Sequence, residues 1–92
     1  MNGLYDRKDF YFNGRVCYYN EITGWHIRWE RNKLRWIIIQ ENSETPGAFV
    51  EDSNFRVYHP GDIEISWHVY DGQNFILDAD LKICEPDVVK KI

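Results

Sequence analysis

Two stretches of the chain alternate apolar and polar residues with a period of two. Trp25, Ile27 and Trp29 alternate with His26, Arg28 and Glu30, and Ile63, Ile65, Trp67 and Val69 alternate with Glu64, Ser66, His68 and Tyr70. Successive side chains of a strand point to opposite faces, so each stretch predicts a strand with one buried and one solvated face. Helical spacing fits neither. Between them, Leu34-Arg35-Trp36-Ile37-Ile38-Ile39 is almost continuously apolar and ends in β-branched residues. That composition predicts a central strand covered on both faces in its second half.

Turn residues punctuate the same map. Asn13-Gly14 separates Phe10-Tyr11-Phe12 from Val16-Cys17-Tyr18-Tyr19. Asn-Gly accepts positive φ at both positions, as a two-residue hairpin requires. Asp71-Gly72 stands in a similar place before Phe75–Leu77, while Thr23-Gly24 and Arg31-Asn32-Lys33 close the middle hairpins. Pro46-Gly47 and Pro60-Gly61 mark longer connections. The chain is thus expected to be all-β, with about seven or eight short strands. They are placed near 10–12, 15–20, 25–30, 34–40, 48–51, 55–58, 63–70 and 74–84, the last broken at Asp78-Ala79-Asp80. Strands joined by tight turns pair with their neighbours, which predicts an antiparallel meander: a rolled sheet, a small sandwich or a barrel. Residues 1–85 form one domain on this reading, and 86–92 a short tail that makes a turn or frays.

One internal similarity stands out. Trp25-His26-Ile27 leads through a turn to Trp36-Ile37, and Trp67-His68-Val69 leads through a turn to Phe75-Ile76. Duplication of a hairpin and convergence on the needs of one core both account for it. In chain order the motifs run Asn13-Gly14-Arg15, Tyr18-Tyr19-Asn20, Trp25-x-Ile27-x-Trp29, Arg35-Trp36-Ile37, Ala48-Phe49-Val50 and Trp67-x-Val69-Tyr70-Asp71-Gly72. This order resembles a small β-meander module that recurs, often in tandem, in multidomain proteins of algae and protists. The resemblance spans residues 4–83 and implies an accessory or interaction domain. Its motifs are turn and core residues, so it carries over no functional residue.

Composition narrows the function. The 92 residues suffice for a single domain. Four Trp, six Tyr and five Phe make 16% of the chain aromatic, enough for a few rings to supply most of a small core. A net charge of −4, with Lys and Arg interleaved among acids, argues against nucleic acid as a partner. The Lys90-Lys91 pair is too short for a membrane address, and no apolar run reaches the ~20 residues that span a bilayer. The first residues lack a signal-peptide pattern, which leads to an expectation of a cytoplasmic protein with Cys17 and Cys84 as reduced core thiols.

Chemistry-bearing constellations are sparse. His26, His59 and His68 are the only imidazoles, and His26 and His68 occupy equivalent strand positions. A zinc site would need Glu64, Glu30 or Asp62 beside them and a convergent geometry, so no metal site is assigned. Asp78 and Asp80 lack the glycine and distal glutamate of a calcium loop. No serine sits on a strand-turn-helix elbow, and no glycine loop suits a phosphate. No catalytic residue and no cofactor are therefore expected.

Two readings follow. The first is a non-catalytic module that binds a protein or peptide through the sheet face opposite the tryptophans, or through an edge strand. Tyr19, His26, Arg28, Trp29, Tyr58, His68 and Tyr70 are its candidate contact residues, since tyrosine offers area and a hydrogen bond at low entropy cost. The alternative is carbohydrate binding, with exposed Trp or Tyr rings stacked on sugar faces and neighbouring Asn, Asp and Arg bonding the hydroxyls; Trp29, flanked by Arg28 and Glu30, is the first candidate platform.

Overall fold

The computed structural model describes residues 1, 3–52, 60, 63, 65–84 and 88–91, with backbone alone at 9–11, 82, 84 and 88–91. The strands are β1 (Gly3–Leu4), β2 (Asp6–Phe12), β3 (Arg15–Tyr19), β4 (Trp25–Glu30), β5 (Arg35–Gln40), β6 (Ala48–Glu51), β7 (Trp67–Tyr70), β8 (Phe75–Asp78), β9 (Leu81–Cys84) and β10 (Val88–Lys91). Strands β2 to β8 form one seven-stranded antiparallel sheet in chain order. The sheet is a meander and is not closed into a barrel. A separate sheet, ordered β1-β10-β9, brings the two ends of the chain together. Among the described residues no helix is long and apolar enough to cross a membrane.

Register turns the alternation into two distinct faces. Tyr18 faces Ile27, Ile27 faces Ile38, Ile38 faces Ala48 and Ala48 faces Val69. Beside this row, Trp29 faces Trp36 and Trp36 faces Val50. These residues form the core, together with Tyr5, Val16, Trp67 and, from the small sheet, Leu81. Burying each large apolar side chain contributes about 1.5–3 kcal/mol against the entropy of ordering the chain. Trp29 and Trp36 meet edge to face, with centroids 5.6 Å apart. The central strand β5 is covered on both faces as expected, since Ile37 and Ile39 are buried on the side away from Trp36 and Ile38.

Local chemistry explains the turns. Asn13 (φ 54°) and Gly14 (φ 82°) are both left-handed, and Asn13 Nδ2 donates to the Trp29 carbonyl at 2.9 Å. The tip of the β2–β3 hairpin is thereby tied to β4. Between β3 and β4, Asn20 is buried and its Oδ1 accepts from the backbone N–H groups of Ile22 and Thr23. Its own N–H donates to Trp25 O, and its carbonyl accepts from Gly24.

Several expectations need correction. The strand read over 63–70 is only 67–70: Ile63 packs against the core, but Ile65 is 62% exposed and lies outside the ladder. The strand read over 55–58 lies outside the described residues. The break expected at Asp78-Ala79-Asp80 is there, and it is also a change of sheet, because β9 pairs with β10 and leaves β8. The residues read as a turn or frayed tail include β10, which is paired on both sides.

Candidate functional site

The face opposite the core is built from alternate residues of the same strands. Tyr19 faces His26, His26 faces Ile39, Arg28 faces Ile37, Ile37 faces Phe49, Phe49 faces His68 and His68 faces Leu77. Ile37 and Ile39 at its centre are buried, and two arginines of the face lie over aromatic rings. The Arg28 guanidinium stands 4.7 Å from the centroid of Phe12, and that of Arg35 stands 4.7 Å from Phe49. Arg35 also pairs with Glu30 across the strands. Phe49 stacks on His68 at 4.8 Å and nearly parallel, and meets Phe75 edge-on at 4.9 Å. Phe75 in turn contacts Tyr70 at 5.1 Å. A continuous path of cation and rings thus runs across β5, β6, β7 and β8 and ends at the edge of the sheet.

The other end of the face is closed. Tyr19 and His26 meet edge to face at 4.7 Å, with Lys8 over the Tyr19 ring and ion-paired to Glu21. His26 is buried, and its Nδ1 has no hydrogen-bond partner among the described residues. Desolvation, with Arg28 adding and Glu41 opposing, pushes its pKa below the usual imidazole value. Burial likewise raises the Tyr19 hydroxyl and the thiol of Cys17, which lies buried on β3.

The residues read from sequence as contacts therefore separate. Tyr19 and Arg28 share this face and are partly exposed; His68 and Tyr70 share it near the β8 edge, with Tyr70 exposed. Trp29 is corrected: it points to the core, is 1% exposed, and has Arg15 over its ring at 4.5 Å. His26 is also corrected, because the Tyr19 ring and its neighbours leave it 5% exposed. Tyr58 lies outside the described residues. His26 on β4 and His68 on β7 are three strand spacings apart, or about 14 Å, too far to share a metal ion.

Phe49, Phe75, Ile76 and Leu77 escaped the sequence reading. Phe75-Ile76-Leu77 is a short apolar run, which in isolation reads as a strand buried on both faces. Its place at the edge of the sheet leaves Ile76 53% and Leu77 61% exposed on opposite faces. No protein-family model, curated protein or solved structure matches the chain.

Proposed function

We propose that this domain is a non-catalytic protein-interaction module that binds through the β7–β8 hairpin. One observation carries the reading: exposed large apolar side chains gather there. Tyr70, Ile76 and Leu77 stand on this hairpin, Tyr70 and Leu77 on one face of its edge and Ile76 on the other, against Leu4, Ile22 and Ile65 elsewhere among the described residues. Clustered exposed apolar residues on a folded domain mark surfaces that are covered in a complex. His68, Tyr70 and Phe75 offer a rigid ring surface beside the strand edge, and the outer edge of β8 offers backbone groups to an extended peptide.

The carbohydrate alternative loses its first candidate platform, the ring of Trp29, which is buried against Trp36. Selection of a random peptide library on the immobilised domain tests the favoured reading. Selected peptides are expected to shift NMR resonances of β7 and β8 and to bind at least about tenfold more weakly to Leu77→Asp. Ile22→Asp, at the exposed β3–β4 turn, should bind them normally. Shifts confined to other strands, or indifference to Leu77→Asp, would sink it.

A further inference from the structure

The two edges of the seven-stranded sheet differ in protection. Edge strand β2 carries Arg7 and Lys8 and has a register irregularity between Arg7 and Tyr11. Charged side chains and bulges are devices that stop an edge from pairing with another chain. Edge strand β8 reads Phe-Ile-Leu-Asp, in unbroken register with β7, and its one charge lies at its end.

The hydrogen-bonding phase of β8 is also fixed. Tyr70 N–H donates to Gly47 O, away from β8, whereas Asp71 N–H donates to Asn74 O. Alternation along an antiparallel ladder then turns Ile76 and Asp78 toward β7 and leaves the N–H and C=O groups of Phe75 and Leu77 on the outer edge.

We propose that two copies of this chain join edge to edge through β8, antiparallel and centred on Ile76. The proposal rests on the reading of this edge as the binding surface, and names a second copy as its occupant. In that register Phe75 of each copy faces Leu77 of the other and exchanges both backbone hydrogen bonds with it, four bonds in all by symmetry. Ile76 faces Ile76 as a close non-hydrogen-bonded pair, and Asn74 faces Asp78. Within the strand the one carboxylate, Asp78, thus meets an amide, and no carboxylate is set directly against another. A register centred on Leu77 would instead place Asp78 against Ile76. The twofold axis keeps each sheet face on its own side and closes the assembly at two.

One strand pairing buries less than the ~1,200 Å² of a standard interface, so the dimer is weak and concentration-dependent. Sedimentation equilibrium of the 92-residue chain should show monomer at about 10 μM and rising dimer toward about 1 mM. Ile76→Lys should stay monomeric throughout. Cysteine trapping reads the register. Across the axis, Ile76→Cys brings two Cα atoms to about 4.5 Å, within disulfide reach, whereas Leu77→Cys leaves them about 8 Å apart. Mild oxidation should therefore cross-link the first at least tenfold faster than the second, with the unsubstituted chain as control for Cys17 and Cys84. A chain monomeric at about 1 mM, a dimer that survives Ile76→Lys, or equal trapping of the two variants would each overturn the proposal. Selected peptides binding β8 of a strictly monomeric chain would remove the dimer and keep the interaction module; a dimer of this register with no peptide binder would do the reverse.

Discussion

The ring of Trp25 occupies the space that a side chain at position 47 would need: a Cβ on Gly47 would fall 2.7 Å from Cζ3 and 2.8 Å from Cη2. The backbone there cannot retreat easily, because Gly47 N–H donates to Ile38 O and its carbonyl accepts from Tyr70. Gly47→Ala should therefore cost about 1–3 kcal/mol in urea unfolding. The same substitution in a Trp25→Ala background should cost clearly less, since the only close neighbour left is Met1 Sδ at 2.9 Å, the far end of a flexible side chain. Equal costs in both backgrounds would show that the ring is not the obstacle.

Fold and binding can be separated by two truncations. Trp29→Ala empties the centre of the core and should cost about 3–5 kcal/mol. Leu77→Ala removes an exposed side chain and should change stability by no more than about 0.5 kcal/mol. Denaturation curves of the two variants, set beside peptide affinity for Leu77→Ala, should place the losses in different columns.

Asn13 combines a left-handed backbone with a side-chain bond to Trp29 O. Asn13→Ala forfeits both and should cost about 1–2 kcal/mol. Asn13→Gly keeps the backbone conformation and forfeits only the bond, so its cost should be smaller. Thermal unfolding of the pair reads the order directly, and a reversed order would refute this account of the turn.

The pH dependence near neutrality should depend on His26. Its folded pKa lies below the unfolded value of about 6.5, so below that pH the unfolded chain binds a proton that the folded chain resists. Stability is full above about pH 6.5 and falls with pH until the folded imidazole itself titrates. The groups acting on it are Arg28 from its own strand, Glu41 beyond β5, and the Tyr19 ring. His26→Phe should flatten the slope between about pH 6.5 and 5. An unchanged slope would assign the effect elsewhere.

Much of this architecture is legible in residue order, because a meander is the topology in which neighbours in sequence are neighbours in space. Alternation located β4, the apolar run located β5, and Asn13-Gly14 located the first hairpin. Trp29 shows the limit: period two shared it out between face and core correctly, yet a flanking Arg28 and Glu30 made it look like a surface ring. The candidate site was less legible. Tyr70 and His68 were named as contacts by their type, but Ile76 and Leu77 are set apart by being exposed at the edge, and edge position is a property of the whole strand order. Nothing local marks Asn20 as the organiser of the β3–β4 turn either, since its role needs the backbone of residues 22–25 to be folded around it.

The pairing of Gly3–Leu4 with Val88–Val89 sets an order of events. Most ladders of the large sheet join strands separated by a short turn, so they can zip as hairpins; the β6–β7 ladder alone in that sheet has to close over the longer connection 52–66. The small sheet cannot complete itself that way, because β1 meets β10 only after nearly the whole chain has been looped back, at the entropic cost that long loops carry. Folding should therefore run from the middle outward. Substitutions in the β4–β5 hairpin would slow the forward reaction, while those in β1 or β10 would mainly speed the reverse one.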